Sequence, residues 1–191
     1  KAVGKTLVQC AKNTEYLGAQ SGAVALLHTW GQTLAYHPHI HTIVPAGGLS
    51  DDGMEWIPSA KKFFVPVKVL SAVFRGILCR LLEEAINKGE IKLPDDTTCF
   101  QTLKTKCYAK KWVVYAQKPF SSPDNLIQYL GNYTHRVAIS NHRIIDYIDG
   151  KVTFYYKDNK AGGTRKTMTL EVDEFIRRFM QHVLPSGFCK I

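Results

Sequence analysis

Apolar residues recur every third or fourth position from Val67 to Asn87 (Val67, Leu70, Phe74, Ile77, Leu81), which sets one stripe along a helix of about six turns. Pro66 stands before it and Lys88-Gly89 after it, as helix boundaries require. A helical pattern also runs through residues 5 to 17 and stops near Gly18, and a short one covers Phe100 to Tyr108. Other stretches carry the period of strands. Residues 22 to 30 form an apolar run that reads as a buried strand, and residues 38 to 45 alternate up to Gly47-Gly48. The short link between them predicts an antiparallel hairpin. Further strands are expected at Met54–Ile57, Trp112–Ala116, Arg136–Ser140, Arg143–Ile148, Val152–Lys157 and Thr167–Leu170. Asp149-Gly150 predicts a tight hairpin turn, and Ala161 to Lys166 a flexible basic loop. Ser122-Pro123-Asp124 has the chemistry of a helix start, with a capping hydroxyl, proline in the first turn and an acid near the positive end. That helix should reach about Tyr133, and a last one Asp173 to Val183. Strands and helices mix without strict alternation, so the expected class is α+β, a central antiparallel sheet with helices packed on it.

Composition narrows this picture. The 191 residues suit one domain, residues 1–191, and 45% are apolar, enough for a core. Lys and Arg outnumber Asp and Glu by 25 to 16, a net charge of +9 that suits a polyanionic partner such as nucleic acid. Five scattered cysteines with no C-x-x-C spacing argue against a disulfide framework or zinc ribbon, and point to a reducing cytosol. No apolar run is long enough to span a membrane. The chain opens without Met and stops at Cys189-Lys190-Ile191, and reads as a piece of a larger protein.

Candidate chemistry begins with histidine. His37, His39 and His41 occupy every second position, so on a strand they share a face, with Ile40 turned to the core behind them. His39 and His41 can give two imidazole nitrogens to one divalent ion. A third ligand is expected from the facing strand. Gln32, seven residues before His39, is a candidate there, a weak ligand whose oxygen suits Mg or Mn, with His28 and His37 as rivals. Two imidazoles and an oxygen leave positions open for phosphate and water.

Tyrosine supplies the second element. Tyr129 and Tyr133 lie four apart and share one helix face. A tyrosine hydroxyl can attack a phosphodiester and conserve its energy as phosphotyrosine, and two neighbours permit two successive strand transfers. Gly131 between them costs roughly 1 kcal/mol against alanine in a helix, which is easier to explain if something must approach the backbone. His135 and Arg136 follow at once and could bind phosphate.

Together, His39-Ile40-His41 resembles the HUH motif, histidine-hydrophobic-histidine, and Tyr129 with Tyr133 resembles the paired tyrosines of its two-tyrosine branch. The surrounding words, Leu27 to Gln32, His37 to His41 with Gly47-Gly48-Leu49, and Tyr129 to Ser140, are similar to rolling-circle transposases of the insertion sequence 91 family. That resemblance covers residues 20 to 190. It implies an HUH endonuclease (Rep/relaxase-like) fold, with the HUH strand near the centre of the sheet and the tyrosine helix across a Mg or Mn site. It implies tyrosine attack on single-stranded DNA at transposon ends and target, giving a 5′-phosphotyrosine and a free 3′-hydroxyl. It also implies a bacterial cytoplasmic protein working at the nucleoid, here without the family's N-terminal zinc-binding segment and C-terminal tail. A replication initiator or relaxase would share the chemistry, and a domesticated, catalytically silent DNA-binding protein would share the fold.

Two basic stretches are candidate DNA contacts. Lys104, Lys106, Lys110 and Lys111 interleave with Tyr108 and Trp112, the mix of cations and aromatic faces that suits single strands. Arg165 and Lys166 on their glycine loop form the other.

Overall fold

The protein is described by a computed structural model that covers residues 1–59, 64–95, 97, 99–134 and 137–188. Its elements, in chain order, are α1 (Ala2–Lys12), β1 (Val24–Trp30), β2 (Tyr36–Ile43), β3 (Gly47–Leu49), β4 (Trp56–Pro58), α2 (Val67–Asn87) and α3 (Phe100–Ala109), followed by α4 (Pro123–Thr134), β5 (Ile144–Ile148), β6 (Lys151–Asp158), β7 (Thr164–Glu171) and α5 (Val172–Met180). The class is α+β with antiparallel strands, as expected. Hydrogen bonding groups the strands as β1–β2, β3–β4 and β5–β6–β7. Contacts divide the chain into two compact units, Lys1–Val24 with Ile43–Phe120, and Ala25–Thr42 with Ser121–Ile191.

In the first unit α1 and its following turn pack Ala11, Leu17 and Ala19 against Ile57 and Phe64. The β3–β4 ladder pairs Gly48 with Ile57, and Gly48 also lies so close to the Gln20 carbonyl that a Cβ would sit 2.5 Å from its oxygen. Only glycine fits that approach. Trp112–Ala116 has a strand's composition but pairs with no strand among the described residues, which corrects the expectation. Its inward positions are held by side chains instead. The Trp112 indole N–H donates to the Cys107 carbonyl at 2.8 Å, and the Ser71 hydroxyl donates to the Trp112 carbonyl at 2.7 Å. Val113 and Tyr115, on the alternate face, are 83% and 81% exposed.

The second unit holds a three-stranded meander. Asp149 and Gly150 turn β5 into β6 with φ of 49° and 74°, the left-handed pair that a two-residue hairpin demands. β6 and β7 pair from Lys151↔Glu171 to Asp158↔Thr164. The inner face carries Val152 and Phe154 against Leu34, Ala138 and Ile139, flanked by Trp30, Met168, Leu170 and Phe175. Ala138 and Ile139 are buried here without forming the strand expected at Arg136–Ser140, of which Arg136 lies outside the described residues. Arg165 and Lys166, expected on a loop, lie in β7, and the turn is confined to Asn159–Ala161 and the two left-handed glycines Gly162 and Gly163.

The β1–β2 hairpin joins this unit through its turn. Leu34 adopts φ 59° there, costly for a residue with a Cβ, and its side chain is fully buried in the core. Three successive carbonyls of the turn are engaged by distant side chains. The Arg143 guanidinium donates to the Gln32 carbonyl, that of Arg178 to Thr33 at 3.2 Å, and the His182 Nε2–H to Leu34 at 3.0 Å. With Nε2 donating, His182 Nδ1 accepts the Thr29 hydroxyl at 3.0 Å, so a buried imidazole is fully satisfied.

Candidate metal and tyrosine site

His28 on β1 and His39 and His41 on β2 converge within the second unit. One ligand atom from each lies within 4.8 Å of the others. His28 is 3% exposed, and His39 and His41 are half-buried. The rings touch edge to face, with centroids 5.6 Å (His28–His39), 4.7 Å (His28–His41) and 5.0 Å (His39–His41) apart. Ile40, between the two β2 histidines, is 44% exposed rather than in the core. The core of this unit gathers around Leu34 and Phe154, and Ile40 lies outside that cluster.

Hydrogen bonds fix the imidazole tautomers. His39 Nδ1–H donates to the His37 carbonyl at 2.8 Å, which puts the ring's lone pair on Nε2. His28 Nε2–H donates to the Tyr133 carbonyl at 3.2 Å, which puts its lone pair on Nδ1 and ties β1 to the C-terminal end of α4. His28 and His39, each with one nitrogen oriented by a backbone carbonyl, form with His41 a donor set that could hold a divalent metal ion, and nitrogen donors favour Mn over Mg.

Gln32 does not join them. Its side-chain oxygen accepts the Lys157 backbone N–H at 3.3 Å, while its carbonyl holds Arg143, so it clamps the hairpin turn to β6. The third imidazole is His28, one of the two rivals. The other, His37, is exposed and contributes its carbonyl. Gln32→Ala is therefore expected to leave Mn affinity, measured by calorimetry, within about twofold of wild type. It should lower thermal stability by about 1 kcal/mol, the worth of one partly exposed hydrogen bond. A loss of metal affinity at unchanged stability would return Gln32 to the ligand set.

α4 brings both tyrosines to the same place. Its start is the one the sequence predicts: the Ser122 hydroxyl accepts the Asn125 N–H at 3.3 Å, and Asp124 sits in the first turn. Tyr129 and Tyr133, one turn apart, stack with centroids 4.3 Å apart. The Tyr129 hydroxyl lies 3.1 Å from His41 Nδ1, and the Tyr133 ring lies 4.3 Å from that of His41 and parallel to His28 at 5.6 Å. Burial raises the Tyr129 pKa above its ordinary value, and the neighbouring Tyr133 adds to the rise. Gly131 sits on the exposed side, with open space where a Cβ would be, so no close packing within the chain accounts for it.

The remaining candidates separate. His135 and Arg136 lie outside the described residues. Lys104, Lys106, Lys110 and Lys111 belong to the first unit. There the aromatic faces and one of the charges are already used: Lys104 pairs with Glu83 at 3.9 Å, the Tyr108 ring carries the Arg75 guanidinium at 4.3 Å, and Trp112 packs edge-on against Phe74. Arg165 and Lys166, adjacent on β7, point to opposite faces. Arg165 covers the Tyr155 ring at 3.4 Å, whereas Lys166 pairs with Asp158 at 2.8 Å. Arg143 and His182 carry no local signal in the sequence, since each acts on a turn more than a hundred residues away.

Comparison with known proteins places this geometry in context. The Y2_Tnp family model, described as "Putative transposase", matches residues 22–191. The chain is 45% identical over 197 residues to "Putative transposase y4qJ" of Sinorhizobium fredii, covering all of this chain and 50% of that protein. It is 25% identical over 172 residues to "Transposase for insertion sequence element IS801" of Pseudomonas savastanoi pv. phaseolicola, covering 90% of this chain and 42% of that protein. The chain thus spans about half the length of the curated relatives it matches. No solved structure matches it significantly.

Proposed function

We infer that this chain, which belongs to the Y2_Tnp transposase family, is a metal-dependent nuclease unit that cuts single-stranded DNA through a tyrosine. The observation that carries the reading is the bond between the Tyr129 hydroxyl and His41, within a cluster where His28 and His39 supply two further nitrogens.

A divalent ion held by His28, His39 and His41 would draw charge from a bound phosphate and so ease attack on phosphorus. The protein's own groups do the rest. With Nε2 of His41 turned to that ion, its Nδ1–H would donate to the Tyr129 oxygen and favour the phenolate that burial alone disfavours. The phenol proton leaves to water. The phenolate oxygen forms a bond to phosphorus, the bond from phosphorus to the 3′ oxygen breaks, and that oxygen takes a proton to become a 3′-hydroxyl. The product is a 5′-phosphotyrosine. Tyr133, stacked on Tyr129, would make a second attack of the same kind while the first end is held, a role that its ring contact with Tyr129 supports.

The test works without a defined DNA end sequence. Labelled single-stranded oligonucleotides of randomised sequence are incubated with the protein and Mn, then resolved on a denaturing gel beside an EDTA control. A protein–DNA band that survives denaturation and depends on metal is expected, with peptide mapping at Tyr129 or Tyr133. Free cleavage products with no covalent band would replace tyrosine attack by hydrolysis.

A further inference from the structure

The β5–β6–β7 meander buries one face on the core and leaves the other open. Along β6 and β7 the open face carries the register pairs Lys151↔Glu171, Thr153↔Thr169, Tyr155↔Thr167 and Lys157↔Arg165. Its two ends differ in charge. At the first, Lys151 is paired with Glu171 at 3.5 Å, and Asp146 of β5 sits opposite Thr153. In the middle the Thr153 and Thr169 hydroxyls bond to one another at 3.0 Å. At the other end two cations stand directly opposite across the ladder. Such a pair is destabilising unless an anion lies between or beside them, and among the described residues neither Lys157 nor Arg165 is in an ion pair. Arg165 instead lies over the Tyr155 ring, its guanidinium carbon 3.4 Å from the centroid. Beside them opens a shallow depression of about 590 Å³, lined by Tyr155, Arg165, Lys166 and Thr167.

We propose that this basic end, Tyr155 and Thr167 with Lys157 and Arg165, is a docking platform for a single DNA strand. The proposal rests on the nuclease reading above and extends it to where the strand runs outside the cutting site. The chemistry is that of single-strand recognition. Guanidinium and ammonium groups take phosphates, while the planar Tyr155–Arg165 pair offers a face on which a base stacks. Double-stranded DNA presents no free base face and gains only the phosphate contacts. The platform is tied to the histidine hairpin by β6 itself. The Lys157 N–H is bonded to the Gln32 side chain, and Arg143 bridges the Gln32 and Tyr155 carbonyls. Strand held here is therefore held relative to the His28 strand.

Binding of fluorescent oligothymidine is measured by anisotropy in EDTA, so that no cutting occurs, with melting temperatures as a check on folding. Tyr155→Leu and Arg165→Gln are each expected to weaken binding about tenfold, the size of one lost stacking contact. Arg165→Gln should also reduce the slope of log affinity against log salt by about 0.7, one phosphate's worth for a single strand. Tyr155→Phe keeps the ring and should bind like wild type. An oligonucleotide carrying 5-iodouracil should photo-crosslink to Tyr155. Affinities within about twofold of wild type in both weakening variants, or crosslinks mapping away from β6 and β7, overturn the platform. A Tyr155→Phe affinity as low as that of Tyr155→Leu overturns it as well. Covalent adduct formation by wild-type protein in Mn is read in parallel. Its absence counts against the nuclease reading alone, and leaves the crosslink and affinity results to decide the platform.

Discussion

Tyr129→Phe is expected to reduce covalent DNA adduct formation at least about a thousandfold, because no other group at that position can become the attacking oxygen. The fold should barely notice. The substitution removes one hydroxyl and its bond to His41, worth about 1 kcal/mol, and keeps the ring that stacks on Tyr133. Tyr133→Phe should behave differently. The substitution keeps the ring that packs against His41 and His28 and leaves the Tyr129 hydroxyl and its bond to His41 in place. The first cut should therefore survive in Tyr133→Phe, and transfer to a second strand should fail. Gel assays with one labelled donor and one labelled acceptor strand separate the two steps. Equal retention of the first cut in both variants would mean that the tyrosines are interchangeable, and equal loss that both hydroxyls are required. Full activity in Tyr129→Phe would assign the first attack to Tyr133.

The second large effect concerns the histidines. His41→Ala and His39→Ala are each expected to lower Mn affinity at least about a hundredfold, since each removes one of three imidazole donors. His28→Ala should do the same and also lower stability, because it empties a buried site and removes the imidazole bond to the Tyr133 carbonyl. His28→Gln isolates the two effects, as its amide can still donate to that carbonyl while the imidazole lone pair is gone. The readouts are calorimetric Mn titration and the rise in melting temperature on adding Mn. At a hundred times the wild-type Kd, Mn should stabilise wild type by about 2.7 kcal/mol and the variants by about 0.4 kcal/mol or less. Unchanged Mn affinity in His28→Gln would leave a two-histidine site completed by an oxygen, from the new amide or from elsewhere.

Much of this site is legible in the sequence. Period-two spacing puts His39 and His41 on one face, four-residue spacing puts Tyr129 and Tyr133 together, and the Ser122 cap and Asp149-Gly150 turn stand where local chemistry asks for them. These are short-range signals, fixed by the geometry of a single strand, helix or turn. The third nitrogen is harder to find. Choosing among Gln32, His28 and His37 requires knowing how β1 meets β2, and a turn containing a left-handed Leu34 is not one that sequence announces. The same limit explains Trp112–Ala116, where composition favours a strand but pairing depends on a partner far along the chain. It explains Arg165 and Lys166 too. Neighbours in sequence read as one basic patch, yet once on a strand they serve opposite faces.

The clasp on the hairpin turn sets a timetable for synthesis. The histidines occur by residue 41, but the turn that positions their strands is held by Arg143, Arg178 and His182. From His41 to His182 is 141 residues, which a ribosome adds at about 5–20 per second, so roughly 7–28 s separate the making of the last cluster histidine from the making of the last clasp residue. Through that interval the nascent chain carries all three imidazoles, and from residue 133 onward both tyrosines, without the full set of bonds that fix the hairpin. A polypeptide released early, ending just after the tyrosine helix, would hold every residue of the cluster and still lack the assembled site.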